Sequence, residues 1–200
     1  MKIIVIGGTG TIGKAVVKDL AKRHTVIIAG HNHGDMRVDI TDVSSLEYLY
    51  RAVGNFDAVV TTVGKVHFDN LTAMTPDNYF LGLENKLMGQ VNVVLVGLRY
   101  INPHGSFTLT SGILSHDPII AGSSASMVNG AIDSFVKAAA IEMPNNTRIN
   151  AVSPTVLADS IETYGEYFAG FEPVSSYRVA LAYVKSIEGA QTGQVYNVGY

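Results

Sequence analysis

The sequence predicts an α/β fold with a doubly wound parallel sheet, and two observations support this prediction. Short β-branched runs alternate with longer helical patterns along the whole chain, an order that gives parallel strands joined by right-handed crossovers. Most of the short runs are apolar on both faces, which is typical of strands buried between two layers of helices. The length of 200 residues indicates one domain.

The individual elements follow from these patterns. Strands are predicted at residues 3–6, 26–29, 58–61, 106–109, 149–152 and 195–198. Helices are predicted at residues 12–22, 43–53, 77–100, 124–143 and 174–186. The second helix follows Thr41 and Asp42, which are plausible caps, and the third follows Thr75-Pro76, a typical helix start.

Composition excludes several classes of protein. The chain has no cysteine, which removes disulfides, thiolate nucleophiles and cysteine-ligated metal sites. Its net charge of −3, without a basic run, gives no electrostatic footprint for nucleic acid. The apolar run at the N-terminus is too short for a signal peptide, and the most apolar long stretch, residues 83–98, carries too many polar side chains to span a bilayer. A cytoplasmic protein without a membrane partner is therefore expected.

A glycine-rich turn directly follows the first predicted strand and opens the first helix. Its glycines allow a tight turn and let backbone N–H groups approach a pyrophosphate, while the helix N-terminus adds partial positive charge. In this strand–turn–helix context the motif predicts a dinucleotide site, and the alternative is a plain tight turn. The residues expected to bind the cofactor here are Gly7, Thr9, Gly10, Thr11, Ile12 and Gly13.

The loop after the second strand indicates which dinucleotide is bound. An acidic residue there would bond the ribose 2′-hydroxyl of NAD, but the loop contains His31 and Asn32 instead. His31 can accept a 2′-phosphate, so the loop favours NADP, with NAD as the alternative. The loop histidines can also be simply solvated, and two histidines alone do not make a metal site. Asp39, at the end of a short third strand, either contacts the adenine or caps the following helix.

The chain resembles the short-chain dehydrogenase/reductase superfamily over essentially its whole length. The resemblance is carried by the glycine turn and by residues 38–42, 106–112 and, most specifically, 148–154. It implies a Rossmann-type sheet of seven parallel strands, an NAD(P) cofactor and hydride transfer between a carbonyl and an alcohol. It also implies a single domain over residues 1–200, with a shortened substrate cover at about residues 156–173.

The catalytic set that the resemblance implies is only partly present. Ser111 occupies the position of the serine that orients the substrate carbonyl. The tyrosine that exchanges the proton and the lysine one turn later fall on Ala125 and Asn129. Ala125 has no proton to give, and Asn129 can hydrogen-bond a ribose but carries no charge. The family's helical asparagine falls at Asn85 or Lys86.

Other residues are candidates for the missing proton donor. His116 follows Ser111 by five residues, and its ordinary pKa of about 6.5 suits acid–base chemistry; the alternative is a solvated loop histidine. Lys86, Tyr164 and Tyr167 are further candidates. Ser111 itself can instead satisfy backbone groups in a turn. After the predicted strand at residues 149–152, Pro154 and Val156 are expected at the nicotinamide, although Thr155 stands where the family usually has glycine.

Two helices are candidates for self-association. Small residues recur on the third predicted helix at Gly82 and Gly89, and on the fourth at Gly130, Ser134 and Ala138. The resemblance implies that these helices form a dimer interface, so a homodimer or homotetramer is expected; packing on the chain's own sheet is the alternative. Two functions therefore remain open, an NADP(H)-dependent oxidoreductase acting on an unknown small-molecule substrate and a catalytically silent NADP(H)-binding sensor or scaffold.

Overall fold

The computed structural model describes residues Met1–Tyr200 and contains one sheet of seven parallel strands, which confirms the predicted fold class. The strands are β1 (Lys2–Ile6), β2 (Thr25–Gly30), β3 (Met36–Arg37), β4 (Phe56–Thr61), β5 (Ile101–Thr110), β6 (Arg148–Pro154) and β7 (Val195–Val198). Their order in the sheet is β3-β2-β1-β4-β5-β6-β7, and every neighbouring pair is parallel.

Helices cover both faces of this sheet. They are α1 (Thr11–Leu20), α2 (Val43–Val53), α3 (Pro76–Gly82), α4 (Gly89–Gly97), α5 (Ser123–Glu142), α6 (Ile161–Tyr164) and α7 (Ser176–Glu188). Alternate residues of β1 enter two separate cores: Ile4 packs with α2, α4 and α5, whereas Ile3 packs with α1 and α7. The strand is thus buried on both sides, as its uniformly apolar sequence predicts.

The third helix differs from the single regular helix predicted over residues 77–100. It begins at a capping box between Thr75 and Asn78, and then passes through a π-helical segment, Leu83–Met88, before α4. Intrachain packing accounts for both glycines that flank this segment: Gly82 lies against Ser124 of α5, and Gly89 lies against Ile40. A π segment carries extra backbone per turn, so it changes the direction of the side chains on it.

The segment predicted as a substrate cover is short and made of single turns. It contains the turns Ala158–Ser160 and Gly165–Phe168 on either side of α6. Its two ends are joined by a parallel bridge between Leu157 and Val174, which places the segment beside the end of β6. None of the helices combines the length and hydropathy that a bilayer-spanning segment requires.

Candidate functional site

The strand order places a crevice at the carboxyl ends of β1 and β4. From β1 the chain winds outward to β3 at one edge and then returns to β4 on the other side of β1. The crossover helices diverge at this switch point, and ligands of open α/β sheets bind in the crevice that results. The glycine turn after β1 and residues 62–65 after β4 both end there.

The glycine turn has a geometry that only glycine permits. Gly7 has a φ of +87°, and its N–H donates to the carbonyl of Ala29 at the end of β2. A Cβ on Gly13 would lie 2.1 Å from the Gly7 carbonyl oxygen, so α1 packs directly on the turn. The turn is closed by a hydrogen bond of 2.9 Å from the Gly10 N–H to the same carbonyl.

The N-terminus of α1 is left open for an anion. Gly10 caps the helix without a side chain, and the first turn contains no acidic residue. Thr9, Gly10 and Thr11 are all exposed. The unpaired N–H groups of the first turn, together with the helix dipole, therefore favour a phosphate at this end. The structure brings the predicted residues of the turn together as one surface.

A cleft of about 460 Å³ continues from the turn toward the ends of β2 and β3. His31 and Asn32 line one side of it, and their side chains are bonded to each other at 2.9 Å. The His31 ring nitrogen Nε2 also lies 3.8 Å from a carboxylate oxygen of Asp39. Lys65 lines the opposite side. The predicted residues of this loop thus share one polar cleft of a size suited to a nucleoside.

Asp39 lines this cleft and does not cap a helix. It lies two residues beyond the end of β3, and the backbone N–H and hydroxyl of Thr41 both donate to its carboxylate. These bonds hold the pKa of Asp39 below its ordinary value. The helix cap is Asp42, whose side chain accepts from the Ser44 N–H. Of the two roles predicted for Asp39, the structure is compatible with the one at the nucleoside.

On the catalytic side, Ser111 and Asn129 meet at the end of β5. Ser111 is 3 % exposed, and its hydroxyl donates to the backbone carbonyl of Asn129 at 3.3 Å. The Asn129 amide in turn donates to the carbonyl of Gly112. Ala125, at the position of the family's tyrosine, is buried in a small apolar cluster with Ile113 and Leu114. The side chain at this position therefore packs against hydrocarbon and offers no proton.

The end of β6 lies beside this point. Pro154 and Val156 are both buried, and the Val156 carbonyl accepts from the N–H of Val174. The Thr155 N–H donates to the carbonyl of Val198, while the Thr155 hydroxyl is buried without a partner. The N–H of Val156 has no bond within the chain. That N–H is the group this segment can offer to a ligand.

His116 lies at the surface of the site. Its side chain is 52 % exposed, and Nε2 is 3.9 Å from a carboxylate oxygen of Asp133. The centre of its ring is 6.0 Å from that of Tyr200, whose hydroxyl is 2.6 Å from the Ser153 hydroxyl. Burial raises the pKa of Tyr200, so this phenol keeps its proton. Tyr164 and Tyr167, in the cover segment, are about half exposed.

Lys86 extends from the π segment into the site. Its side chain passes over Gly64, and its ammonium donates to the backbone carbonyl of Ser111 at 3.3 Å. Burial lowers the pKa of Lys86 to about 8, although the carboxylate of Asp133 acts in the opposite direction. Asn85, the other candidate for this alignment position, turns away and accepts from the Lys65 N–H. Of the two residues, it is therefore Lys86 whose side chain reaches the end of β5.

Two groups near the site were missed in the sequence. Asp133 lies on the buried face of α5, two turns after Ala125, and a carboxylate at a core position was a signal that could have revealed it. Tyr200 is the last residue of the chain, where no sequence pattern points to a site. The structure brings no three His, Asp or Glu side chains together as a metal-binding group.

Comparisons with other proteins show the same fold and identify a family. A family model described as enoyl-(acyl carrier protein) reductase matches residues 7–196. The structure of protein lin1944 from Listeria innocua has a TM-score of 0.97 and 48 % identity, covering 99 % of both chains. A small-chain dehydrogenase crystallised in complex with NADPH has a TM-score of 0.89 and 26 % identity, covering 99 % of this chain and 96 % of its own. No curated protein sequence matches the chain.

Proposed function

Because the chain belongs to the short-chain dehydrogenase/reductase superfamily, we propose that it is an NADP(H)-dependent oxidoreductase acting on a carbonyl or alcohol substrate. The observation that carries this proposal is the glycine turn, where Gly7 and Gly13 let the chain pack tightly and the N-terminus of α1 is left open, without a side-chain cap or an acidic residue, for a pyrophosphate. When bound, the nicotinamide supplies or accepts the hydride.

The residues present fit this cofactor. The turn offers unpaired N–H groups to the phosphates, and the cleft lined by His31, Asn32 and Asp39 has space for the adenosine. Asn129 and the backbone N–H of Val156 are the groups that would bind the ribose and the carboxamide. The NADPH complex of the relative with 26 % identity supports the same nucleotide for this chain.

The preference for NADP over NAD rests on the loop after β2. His31 and Asn32 are exposed and can donate hydrogen bonds to a 2′-phosphate, and Lys65 adds positive charge on the opposite side of the cleft. Asp39 opposes this preference, because its carboxylate lies near His31 and keeps its negative charge. We therefore expect a modest preference for NADPH.

Ser111 and His116 are the catalytic residues that the sequence predicts. Ser111 lies at the end of β5, and to orient a substrate carbonyl its hydroxyl must turn from the Asn129 carbonyl toward the ligand. His116 is in contact with solvent and has the Asp133 carboxylate beside it, an arrangement suited to a general acid. The ammonium of Lys86 is a second candidate for the same task.

The test has two stages. Titration with NADPH and NADH, followed by fluorescence, measures whether either nucleotide binds and which binds more tightly. A panel of carbonyl substrates then measures NADPH consumption. Saturable NADPH binding and turnover of any panel member support the oxidoreductase. Failure of both nucleotides to bind at millimolar concentration contradicts it.

The second candidate function is a silent NADP(H)-binding sensor or scaffold. The observation that favours it is Ala125, which is 2 % exposed and embedded in apolar neighbours where the resemblance implies a tyrosine. This function shares the nucleotide site with the first but needs no proton donor. Tight NADPH binding without turnover, and with no effect of Ser111→Ala on trace activity, would support it.

We also propose a homodimer or homotetramer, in keeping with the sequence, in which the exposed faces of α4 and α5 meet. Leu95, Met127 and Ile141 expose apolar side chains on these helices. A shallow apolar groove of about 340 Å³ runs between Leu95 and Phe135. Sedimentation of the wild-type protein and of Leu95→Asp tests the interface: a shift toward monomer is expected in the variant, and a monomeric wild type would contradict it.

A cytoplasmic location stays a prediction of the sequence.

A further inference from the structure

Resting on the oxidoreductase function proposed above, we propose that Lys86 is a catalytic residue whose ammonium group exchanges the proton with the reacting oxygen. It would take the place of the phenol that is missing at Ala125. The atom concerned is Nζ of Lys86, beside the Ser111 carbonyl.

The first support is the position of the side chain. A Cβ on Gly64 would lie 2.5 Å from Cγ of Lys86, so the lysine stem lies closely against the chain that follows β4. Its Nζ is 3.3 Å from the Ser111 carbonyl oxygen at the end of β5. The ammonium thus lies between the carboxyl ends of two neighbouring strands, the part of an open sheet where ligands bind. It is delivered there by a π segment, a feature frequent at functional sites.

The second support is the set of unpaired polar atoms around it. An ammonium has three hydrogens to donate, and Lys86 uses one of them in a single long bond. On α5, one side-chain oxygen of Asn129 and one of Asp133 are buried without any partner. Buried polar atoms are normally hydrogen-bonded. Donors and acceptors left unpaired in one region indicate a place built for a polar ligand.

The third support is the protonation of the lysine. Burial brings the pKa of Lys86 to about 8, and Asp133 keeps it from falling further. A proton-transfer group works best when its pKa lies near the working pH, and an ordinary surface lysine is far too basic for this. Ser111, Asn129 and Asp133 offer no comparable donor.

The proton step balances with the family's redox chemistry. Reduction of a carbonyl adds a hydride to carbon, which is the part the nicotinamide supplies, and a proton to oxygen. The proton leaves Nζ of Lys86 as the new O–H bond forms, and the neutral amine then recovers a proton from solvent. Oxidation of an alcohol reverses this, with neutral Lys86 accepting the hydroxyl proton.

Two substitutions separate proton transfer from simple charge. Lys86→Met removes the donor and should lower the turnover rate by about 10²-fold or more, the usual contribution of a general acid. Lys86→Arg keeps the charge but cannot release a proton near neutral pH, so it should be equally impaired. Lys185→Met, on the exposed side of α7 and outside the proposed dimer face, is the matched control and should keep wild-type turnover. Full activity in Lys86→Met, or rescue by Lys86→Arg, would overturn the proposal.

A readout independent of turnover comes from lysine side-chain NMR of the free and NADPH-bound protein. One lysine signal should titrate near pH 8, disappear in Lys86→Met and shift when NADPH binds. In the wild type, the rate of carbonyl reduction should fall as the pH rises through about 8. A pH-dependent fall that persists in Lys86→Met but is lost in His116→Ala would assign the proton to His116 and overturn the proposal.

The experiments distinguish a failure of the role of Lys86 from a failure of the oxidoreductase function. If the wild type binds NADPH and turns over while Lys86→Met does the same, the role of Lys86 is wrong and the oxidoreductase function stands. If the wild type binds neither nucleotide, the oxidoreductase function itself is wrong, and the inference about Lys86 is wrong with it. NADPH affinity in Lys86→Met, measured alongside, shows whether a loss of turnover arises from chemistry or from cofactor binding.

Discussion

The nucleotide-binding region around β1, α1 and β2 and the catalytic region around β5, α5 and β6 satisfy their polar groups very differently. Of the side-chain oxygens and nitrogens that are buried without a partner, only Nδ1 of His24 belongs to the first region. All the others lie in or next to the second: Ser124, Ser126, Asn129, Asp133 and Thr155. The catalytic region is thus the part of the molecule whose hydrogen bonding the chain alone does not complete.

The two regions differ because one uses backbone atoms for its chemistry and the other uses side chains. The nucleotide-binding region relies on backbone N–H groups and on glycines such as Gly13, so its chemistry is fixed once the turn forms. The catalytic region relies on side chains, and there Ala125 and Asn129 stand where the resemblance implies a tyrosine and a lysine. A residue on another helix or strand can take over the role of a side chain, whereas a phosphate site made of backbone N–H groups stays with its own turn. The role that we propose for Lys86 on the π segment would be such a replacement.

The largest effect is expected from Gly13→Val, which attacks the backbone cradle. The new Cβ would lie 2.1 Å from the Gly7 carbonyl, so the turn and α1 must separate. NADPH binding should become unmeasurable by calorimetry. Gly130→Ala is the control, since no atom of the same chain lies within 4 Å of its new Cβ; it should keep the affinity for NADPH. Intact NADPH binding in Gly13→Val would show that the nucleotide-binding region does not depend on the glycine turn.

Next in size is the effect of Lys86→Met on stability. Burial of the ammonium opposes its charge, so removing it should raise the free energy of unfolding at pH 7 by about 1–2 kcal/mol. The gain should be complete below about pH 8, where folded and unfolded wild type are both protonated. It should fade between about pH 8 and pH 10.4, because there the folded wild type has released this proton while the unfolded chain still holds it. Urea unfolding of the wild type and of Lys86→Met, at about pH 7 and near pH 10, checks this. If Lys86→Met is less stable than the wild type at about pH 7, Lys86 is a structural residue.

A smaller effect is expected from Asp133→Asn, which tests how two charged groups of the catalytic region, Asp133 and Lys86, influence each other. The carboxylate raises the pKa of Lys86, so its removal should move the titration of the lysine below pH 8. The pH profile of carbonyl reduction should shift to lower pH in parallel. Lysine NMR measures the first shift and steady-state kinetics the second. If the pH profile of the rate shifts while the NMR titration of the lysine does not, Lys86 does not control the pH dependence of turnover.

The smallest effect is expected from His31→Ala in the nucleotide cleft. His31 is exposed and shares the cleft with Asp39, so its contribution to a 2′-phosphate should stay within about tenfold, or roughly 1.4 kcal/mol. NADPH affinity should fall while NADH affinity stays the same, as two parallel titrations would show. Equal losses for both nucleotides would place the role of His31 at the adenosine and not at the phosphate.

What the sequence could predict follows the same division. The strands and the glycine turn were readable because apolar alternation and glycine spacing directly reflect backbone geometry. The break in the third helix was not, because the π segment depends on how Gly82 and Gly89 pack against α5 and Ile40. Asp133 and Tyr200 were missed since their proximity to His116 is created only by the tertiary fold.

Two predicted helix boundaries show the same limit at a smaller scale. The last helix begins at Ser176 and not at residue 174, because the Ser175 side chain accepts from the Arg178 N–H and acts as the cap. Asp42 was readable as a cap because it directly precedes its helix. A capping residue can be predicted where the helical pattern itself is clear, and is ambiguous where several candidates precede it.

The central claim is that the nucleotide-binding region is functional although the catalytic region has lost the tyrosine and lysine that the resemblance implies. Calorimetric titration of the wild-type protein with NADPH and with NADH tests it most directly. The account predicts saturable binding of NADPH at one site per chain, with higher affinity than NADH. Absence of binding for both nucleotides at millimolar concentration would contradict it.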